Sequence, residues 1–116
     1  VDGHHLNGEL TLGENIADVS GLAVAFRAYL LSLDGQEPPV IDGLSGAQRF
    51  FFGFAQVWRA KTRAEETVRR ITIDPHSPPE YRVFGTLVNT DAFFEAFEVQ
   101  PGDGMWRDPA DRVRIW

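Results

Sequence analysis

The stretch TLGENIADVSGLAVAFRAYLL, residues 11–31, sets two carboxylates, Glu14 and Asp18, one turn apart and follows them with almost no charge. At about 100° per residue, positions four apart lie about 40° from one another on a helix, so both acids point the same way. Like charges at this spacing destabilise an isolated helix by a few tenths of a kcal/mol. Gly21, Ala25, Ala28 and Ser32 continue that face, while Ile16, Val19, Ala23, Phe26 and Leu30 form the opposite one. Arg27 is the only charge between Val19 and Leu33. A helix that is apolar or small nearly all round is expected inside a larger body. A carboxylate pair buried there needs a cation (a metal, an arginine or a lysine), and this must come from outside the helix.

The rest of the chain bounds what that body can be. Its 116 residues suffice for one domain, spanning 1–116, and its composition of 43% hydrophobic and 24% charged residues is that of a folded protein. A net charge of −6 argues against a nucleic-acid partner, which a basic face would serve. No apolar run reaches the roughly 18 residues of a membrane span, and no signal peptide is visible. The absence of cysteine excludes disulfides and leaves the compartment unassigned. The chain starts at Val1 and its only methionine is Met105, from which a piece of a longer polypeptide is expected.

The periodicity predicts a helix from about Leu12 to Leu33, with Thr11 and Glu14 matching a capping box at its start. That box is the rival explanation for Glu14, with Asp18 then merely solvated. Residues 34–46 form a loop by their Gly and Pro content. Ser45 with Gln48 offers a second capping box, before a helix whose Ala47, Phe50, Phe51, Phe54, Ala55 and Trp58 recur at helical spacing. Short helices are expected at 64–71, around 79–88, and from a cap at Asn89 or Thr90 through Phe97. Pro101 to Gly104 reads as a turn, and DRVRIW, residues 111–116, as an extended end. The architecture expected is mainly α.

Three segments, LTLGENIADVSGL (10–22), FFFGFAQVWR (50–59) and HSPPEYRVFGTLVN (76–89), followed by a terminal RVRIW, together resemble the C-terminal portion of the neprilysin and endothelin-converting-enzyme family of zinc metallopeptidases. The likeness covers nearly the whole chain in the family's order. It implies the helical C-terminal part of a thermolysin-like (gluzincin) catalytic domain. In that family two zinc-binding histidines and the general-base glutamate come from an HExxH helix, and the third ligand is the glutamate of an ENxxD pattern. Here the pattern falls on Glu14-Asn15-Ile16-Ala17-Asp18. The resemblance makes Glu14 a zinc ligand of a His₂Glu set, and Asp18 the acceptor that orients a ligand histidine. It makes His76 the donor to the oxyanion of the tetrahedral intermediate, with Asp74 as a candidate partner. Arg82 is expected to hold a backbone carbonyl of a bound peptide. Val57 and Trp58 match positions that line the pocket for the side chain after the scissile bond.

The plain alternatives are a surface histidine, a structural ion pair for Arg82, and ordinary core positions for Val57 and Trp58. No HExxH occurs in the chain, and the adjacent His4 and His5 have no glutamate in the required relation. Departures from the family are Val19-Ser20-Gly21 where paired glycines are usual, and RVRIW without the cysteine of animal members, as in a bacterial-type member. The expectation is a fragment, inactive alone, of a peptide-hydrolysing enzyme that works with zinc. Its partners would be peptide substrates, the remainder of the parent polypeptide and, through an exposed apolar face of the first helix, a second copy. The competing reading is a peptide-binding module of the same family that has lost catalysis.

Overall fold

The computed structural model describes residues 3–115. Five helices follow one another: α1 (Gly8–Ser32), α2 (Gly46–Val57), α3 (Ala64–Ile73), α4 (Pro79–Leu87) and α5 (Asp91–Phe97), then a 3₁₀ turn at Pro109–Asp111. The described residues form no β-strand, only an isolated bridge between Ile41 and Leu44. The mainly α expectation holds.

The start of α1 differs from the capping box read at Thr11 and Glu14. Asn7 is the cap, its Oδ1 accepting from the backbone N–H groups of Glu9 and Leu10 at 3.1 and 3.2 Å. Asparagine suits this position because its short carbonyl reaches the unpaired first-turn amides. Thr11 therefore lies inside the helix and is buried, and Glu14 is released from any capping duty. At the other end, Asp34 and Gly35 take left-handed backbone angles, φ 49° and 74°, which stop the helix.

Burial of α1 follows a single stripe. Thr11, Asn15, Asp18, Leu22, Phe26 and Tyr29, spaced by three and four, run along its buried and half-buried side, with Glu14, Val19 and Ser20 half-buried at the edges. Ile16, Ala23 and Leu30, expected in the core, are exposed. The inward stripe is polar in its first half and apolar in its second, so the site lies at one end of the helix and the core at the other. The C-terminal half of α1 meets α2, where Phe51, 2% exposed, centres an aromatic cluster. Its ring lies 5.2 Å from Phe26, 5.3 Å from Phe50 and 5.8 Å from Phe93. Leu22, Leu87, Phe93 and Phe94 complete the core.

The second capping box forms as read. Ser45 Oγ accepts from the Gln48 N–H at 3.2 Å, and Gln48 Oε1 accepts from the Ser45 N–H at 3.0 Å. Gln48 Nε2 also donates to the Ala96 carbonyl at 2.9 Å, tying α2 to α5. Gly46 is required by proximity, since a Cβ there would overlap the Tyr29 hydroxyl and the Pro38 ring. After α5 the chain returns as a strap. The Arg112 guanidinium lies 3.6 Å over the Phe94 ring and donates to Asp91 at 2.8 Å. Asn89 accepts from the Val113 N–H at 2.8 Å. Arg112 is extended, as expected for this end, while Asp111 closes the 3₁₀ turn and Trp116 lies outside the described residues.

Only Thr11 and Leu22 of the 25 residues of α1 are buried, against the expectation of a helix covered all round. Too little chain surrounds it. The surface, 7967 Å², exceeds by roughly 1,600 Å² the roughly 6,300 Å² that area scaling gives a compact monomer of this mass. The radius of gyration, 15.6 Å, likewise exceeds the roughly 13.4 Å of a compact domain of this length.

Candidate functional site

α1 and α4 pack together, and the loop between α3 and α4 crosses the N-terminal half of α1. This juxtaposition gathers Glu14, Asp18, His76, Arg82 and Trp58. Pro78 and Pro79 start α4 where a missing N–H costs nothing, and the helix then carries Arg82 one turn in.

Arg82 meets Asp18 through two parallel bonds, Nε to Oδ2 and Nη2 to Oδ1, both 2.6 Å. The two side chains are 13% and 11% exposed, so the charges are mutually neutralised out of water. Hydrogen bonding to Asp18 is the main influence holding the guanidinium pKa above its ordinary value, with burial opposing it and Glu14 and Asp74 adding attraction. The guanidinium also lies 3.9 Å over the Trp58 ring. Within the described residues no hydrogen bond engages Nη1 of Arg82, which leaves that corner of the fork for a ligand.

His76 stands between two carboxylates. Its Nε2 is 3.2 Å from Glu14 Oε2 and its Nδ1 is 2.7 Å from Asp74 Oδ1. Asp74 also accepts from the His76 backbone N–H at 2.9 Å, so one carboxylate oxygen fixes both the loop and the ring. These two bonds, the backbone one first, lower the Asp74 pKa from its ordinary value. The Glu14 and His76 side chains are both 43% exposed. A cavity of about 240 Å³ opens beside them, lined by Trp58, Thr67, Arg70, Asp74, His76 and Arg82 among others.

The compensating cation expected for the acid pair is thus, for Asp18, an arginine from α4. Val57 is 76% exposed, so it is no core residue, whereas Trp58 is half-buried beneath Arg82. His4 and His5 are exposed ahead of α1. Among the described residues no group of three His, Cys, Asp or Glu side chains is placed to hold a metal ion. Glu14 fits as a ligand, because its carboxylate is 43% exposed and, among the described residues, is approached by His76 Nε2 at 3.2 Å without a hydrogen bond, while Asp18 is committed to Arg82. Sequence reading allowed an arginine for the acids and an ion pair for Arg82 but did not join Arg82 to Asp18, because the two lie 64 positions apart with no local pattern between them. It also gave no part to Asn15 and Ser77, although both stand inside the motifs.

The chain matches the model of peptidase family M13 over residues 1–113. It is 45% identical over 118 residues to neprilysin of Homo sapiens, covering 98% of this chain and 15% of that protein. It is 42% identical over 119 residues to endothelin-converting enzyme 1 of Cavia porcellus, covering 100% of this chain and 16% of that protein. The open-state cryo-EM structure of the zinc metalloprotease Zmp1 of Mycobacterium tuberculosis superposes with a TM-score of 0.94 at 56% identity, over 97% of this chain and 17% of that one. The chain therefore spans about a sixth of the length of the relatives it matches.

Proposed function

The chain belongs to peptidase family M13, and from that membership we propose that it is the C-terminal part of the catalytic domain of a zinc metalloendopeptidase, inactive alone. The helical architecture is that of the C-terminal helical part of such a peptidase. The observation that carries the functional reading is the solvent-facing Glu14 carboxylate, 3.2 Å from His76 and one turn from an acid already neutralised by Arg82.

Glu14 would hold the zinc, its other protein ligands being supplied from outside the described residues. Zinc bound there supplies a Lewis acid and an activated water for attack on a peptide carbonyl. Asp18 keeps a second lone pair on each oxygen after binding Arg82, and with one of them accepts the N–H of a histidine. His76, its Nδ1 proton held by Asp74, presents Nε2 toward Glu14, and in the imidazolium form it donates from that atom to an oxyanion. Asp18 aims the Arg82 fork, whose open Nη1 binds a substrate carbonyl. Trp58 and the exposed Val57 form walls for the side chain after the scissile bond. The partners are peptide substrates and the remainder of the parent polypeptide. A second copy of the chain would substitute for that remainder when the chain is alone.

The test is made on the longer protein that contains this chain. Purified with its upstream sequence, it should hold one zinc and cleave peptides, and Glu14→Gln should release the metal and abolish cleavage. Full zinc occupancy in Glu14→Gln would remove Glu14 from the ligand set. An upstream sequence without HExxH, in a protein that binds peptides uncleaved, would favour the alternative of a catalytically dead module.

A further inference from the structure

The ENxxD motif has an asparagine between its two acids, and the site described above gives it nothing to do. Asn15 is half-buried, and both ends of its amide are engaged. Its Oδ1 accepts from Ser77 Oγ at 2.8 Å, and its Nδ2 donates to Thr11 Oγ1 at 3.2 Å. Thr11 Oγ1 in turn donates to the Asn7 carbonyl at 3.2 Å. Every donor in this chain of bonds meets an acceptor, and its two hydroxyl residues, Thr11 and Ser77, are 2% and 6% exposed. The Asn7 side chain meanwhile caps α1, so the relay ends on the first turn of that helix.

The relay joins two places that chemistry needs at a fixed separation. Asn15 directly follows Glu14 on a rigid helix, and Ser77 directly follows His76 on a loop. The Asp74 carboxylate orients the imidazole, but Asp74 rides on the same loop and cannot fix that loop against α1. The Asp18–Arg82 pair fixes α4, one turn beyond the loop. The Ser77–Asn15 bond is the hydrogen bond between the His76 loop and α1 that stands next in sequence to both Glu14 and His76. Buried chains of aligned hydrogen bonds are stiff, and deleting one member strands its neighbours in a poorly solvated place.

We propose that Asn15 and Ser77 are positioning residues: the Ser77 hydroxyl, held by the Asn15 amide, sets the distance of the His76 imidazole from the Glu14 carboxylate. The proposal rests on the metalloendopeptidase reading for its catalytic consequence and not for its geometric one. Ser77 borders the cavity beside the site, but its hydroxyl proton is committed to Asn15 Oδ1, so it acts through His76. Removal of either residue displaces a donor by a fraction of an ångström to an ångström and leaves the peptide pocket in place.

The experiment uses the longer protein with its upstream sequence. Ser77→Ala should lower kcat about tenfold, the scale expected for a misplaced donor, with KM within about twofold and zinc content unchanged. Ser77→Thr, which keeps the hydroxyl, should restore kcat. In a His76→Ala background Ser77→Ala should have almost no further effect on kcat, because the serine acts through that imidazole. A tenfold additional loss there would reduce the relay to general support of the fold and overturn the proposal. Crystal structures of Ser77→Ala and the unaltered protein give a readout independent of turnover. A displaced His76 ring sustains the geometric claim even if the unaltered protein cleaves nothing, which would refute the functional reading alone. A ring that keeps its 3.2 Å approach to Glu14 refutes the positioning claim.

Discussion

Arg82 shows how a single side chain serves two needs. Its Nε and Nη2 neutralise Asp18, its flat face covers Trp58, and its Nη1 is left over. A lysine could neither make the two parallel bonds nor stack. Removing the guanidinium alone strands a carboxylate that is 11% exposed, so Arg82→Met should destabilise the longer protein by about 3–5 kcal/mol in urea unfolding. Asp18→Leu combined with Arg82→Met removes both charges and should recover most of that loss, though not the activity. A double variant as unstable as Arg82→Met would mean that the pair matters through packing on Trp58. These residues also mark the limit of sequence reading. The motif's acids could be found because they sit one turn apart, and each needed a cation. Which cation Asp18 receives depends on α4 arriving beside α1 from 64 positions away, and no local pattern encodes that. Val57 became distinguishable from core only by its 76% exposure, because helical spacing alone fits either role.

At the scale of elements, the ends of helices were legible where their chemistry is local and unambiguous. Ser45 and Gln48 form their reciprocal cap because both partners lie within one turn. Thr11 and Glu14 have the same spacing, yet Asn7 captures the start of α1 four residues earlier and turns Thr11 into an interior, buried residue. The inward face of α1 was not legible because the helix reads as apolar or small nearly all round, and only the arrival of Ser77 and Arg82 across the interface singles out the side that holds Asn15 and Asp18. The C-terminal strap carries a testable electrostatic fastening. Asp91, in the first turn of α5, receives Arg112 and Arg114, and hydrogen bonding from Arg112 first of all lowers its pKa from the ordinary 3.8. A carboxylate with a depressed folded-state pKa contributes stability that is complete above its unfolded value and lost as pH falls through the folded one. Asp91 is 46% exposed, so solvent screening limits the contribution to about 0.5–1 kcal/mol. Asp91→Asn should therefore be less stable than the parent sequence at pH 7, and the difference should close as the pH falls below about 4. Thermal unfolding across pH 2–7 measures it, and a gap that stays constant into acid would show that the strap is held by Arg112 on Phe94 instead.

The whole molecule carries more surface than its mass requires, and α1 contributes apolar side chains to it. Leu12, Ile16, Val24, Leu30 and Leu31 are between 41% and 66% exposed on this one helix. An excess of roughly 1,600 Å² per chain is about what one partner contributes to a large, obligate interface. Apolar surface of this extent on a lone chain drives association at about 25 cal/mol for each Å² covered. In the longer protein, on the reading proposed above, further polypeptide covers the helix, and the ENxxD end of α1 faces the missing ligands. The 116-residue chain expressed by itself should therefore form dimers or larger species in light scattering after size exclusion, and should bind a hydrophobic dye. Val24 and Leu31, 57% and 66% exposed, make no part of the core. Val24→Glu with Leu31→Lys should consequently shift the chain toward monomer without lowering its melting temperature beyond the small change typical of surface substitutions. The longer protein should remain monomeric and dye-free at the same concentration. If the isolated chain runs as a clean, dye-negative monomer, α1 needs no cover, and its exposed side is not the surface that receives further polypeptide.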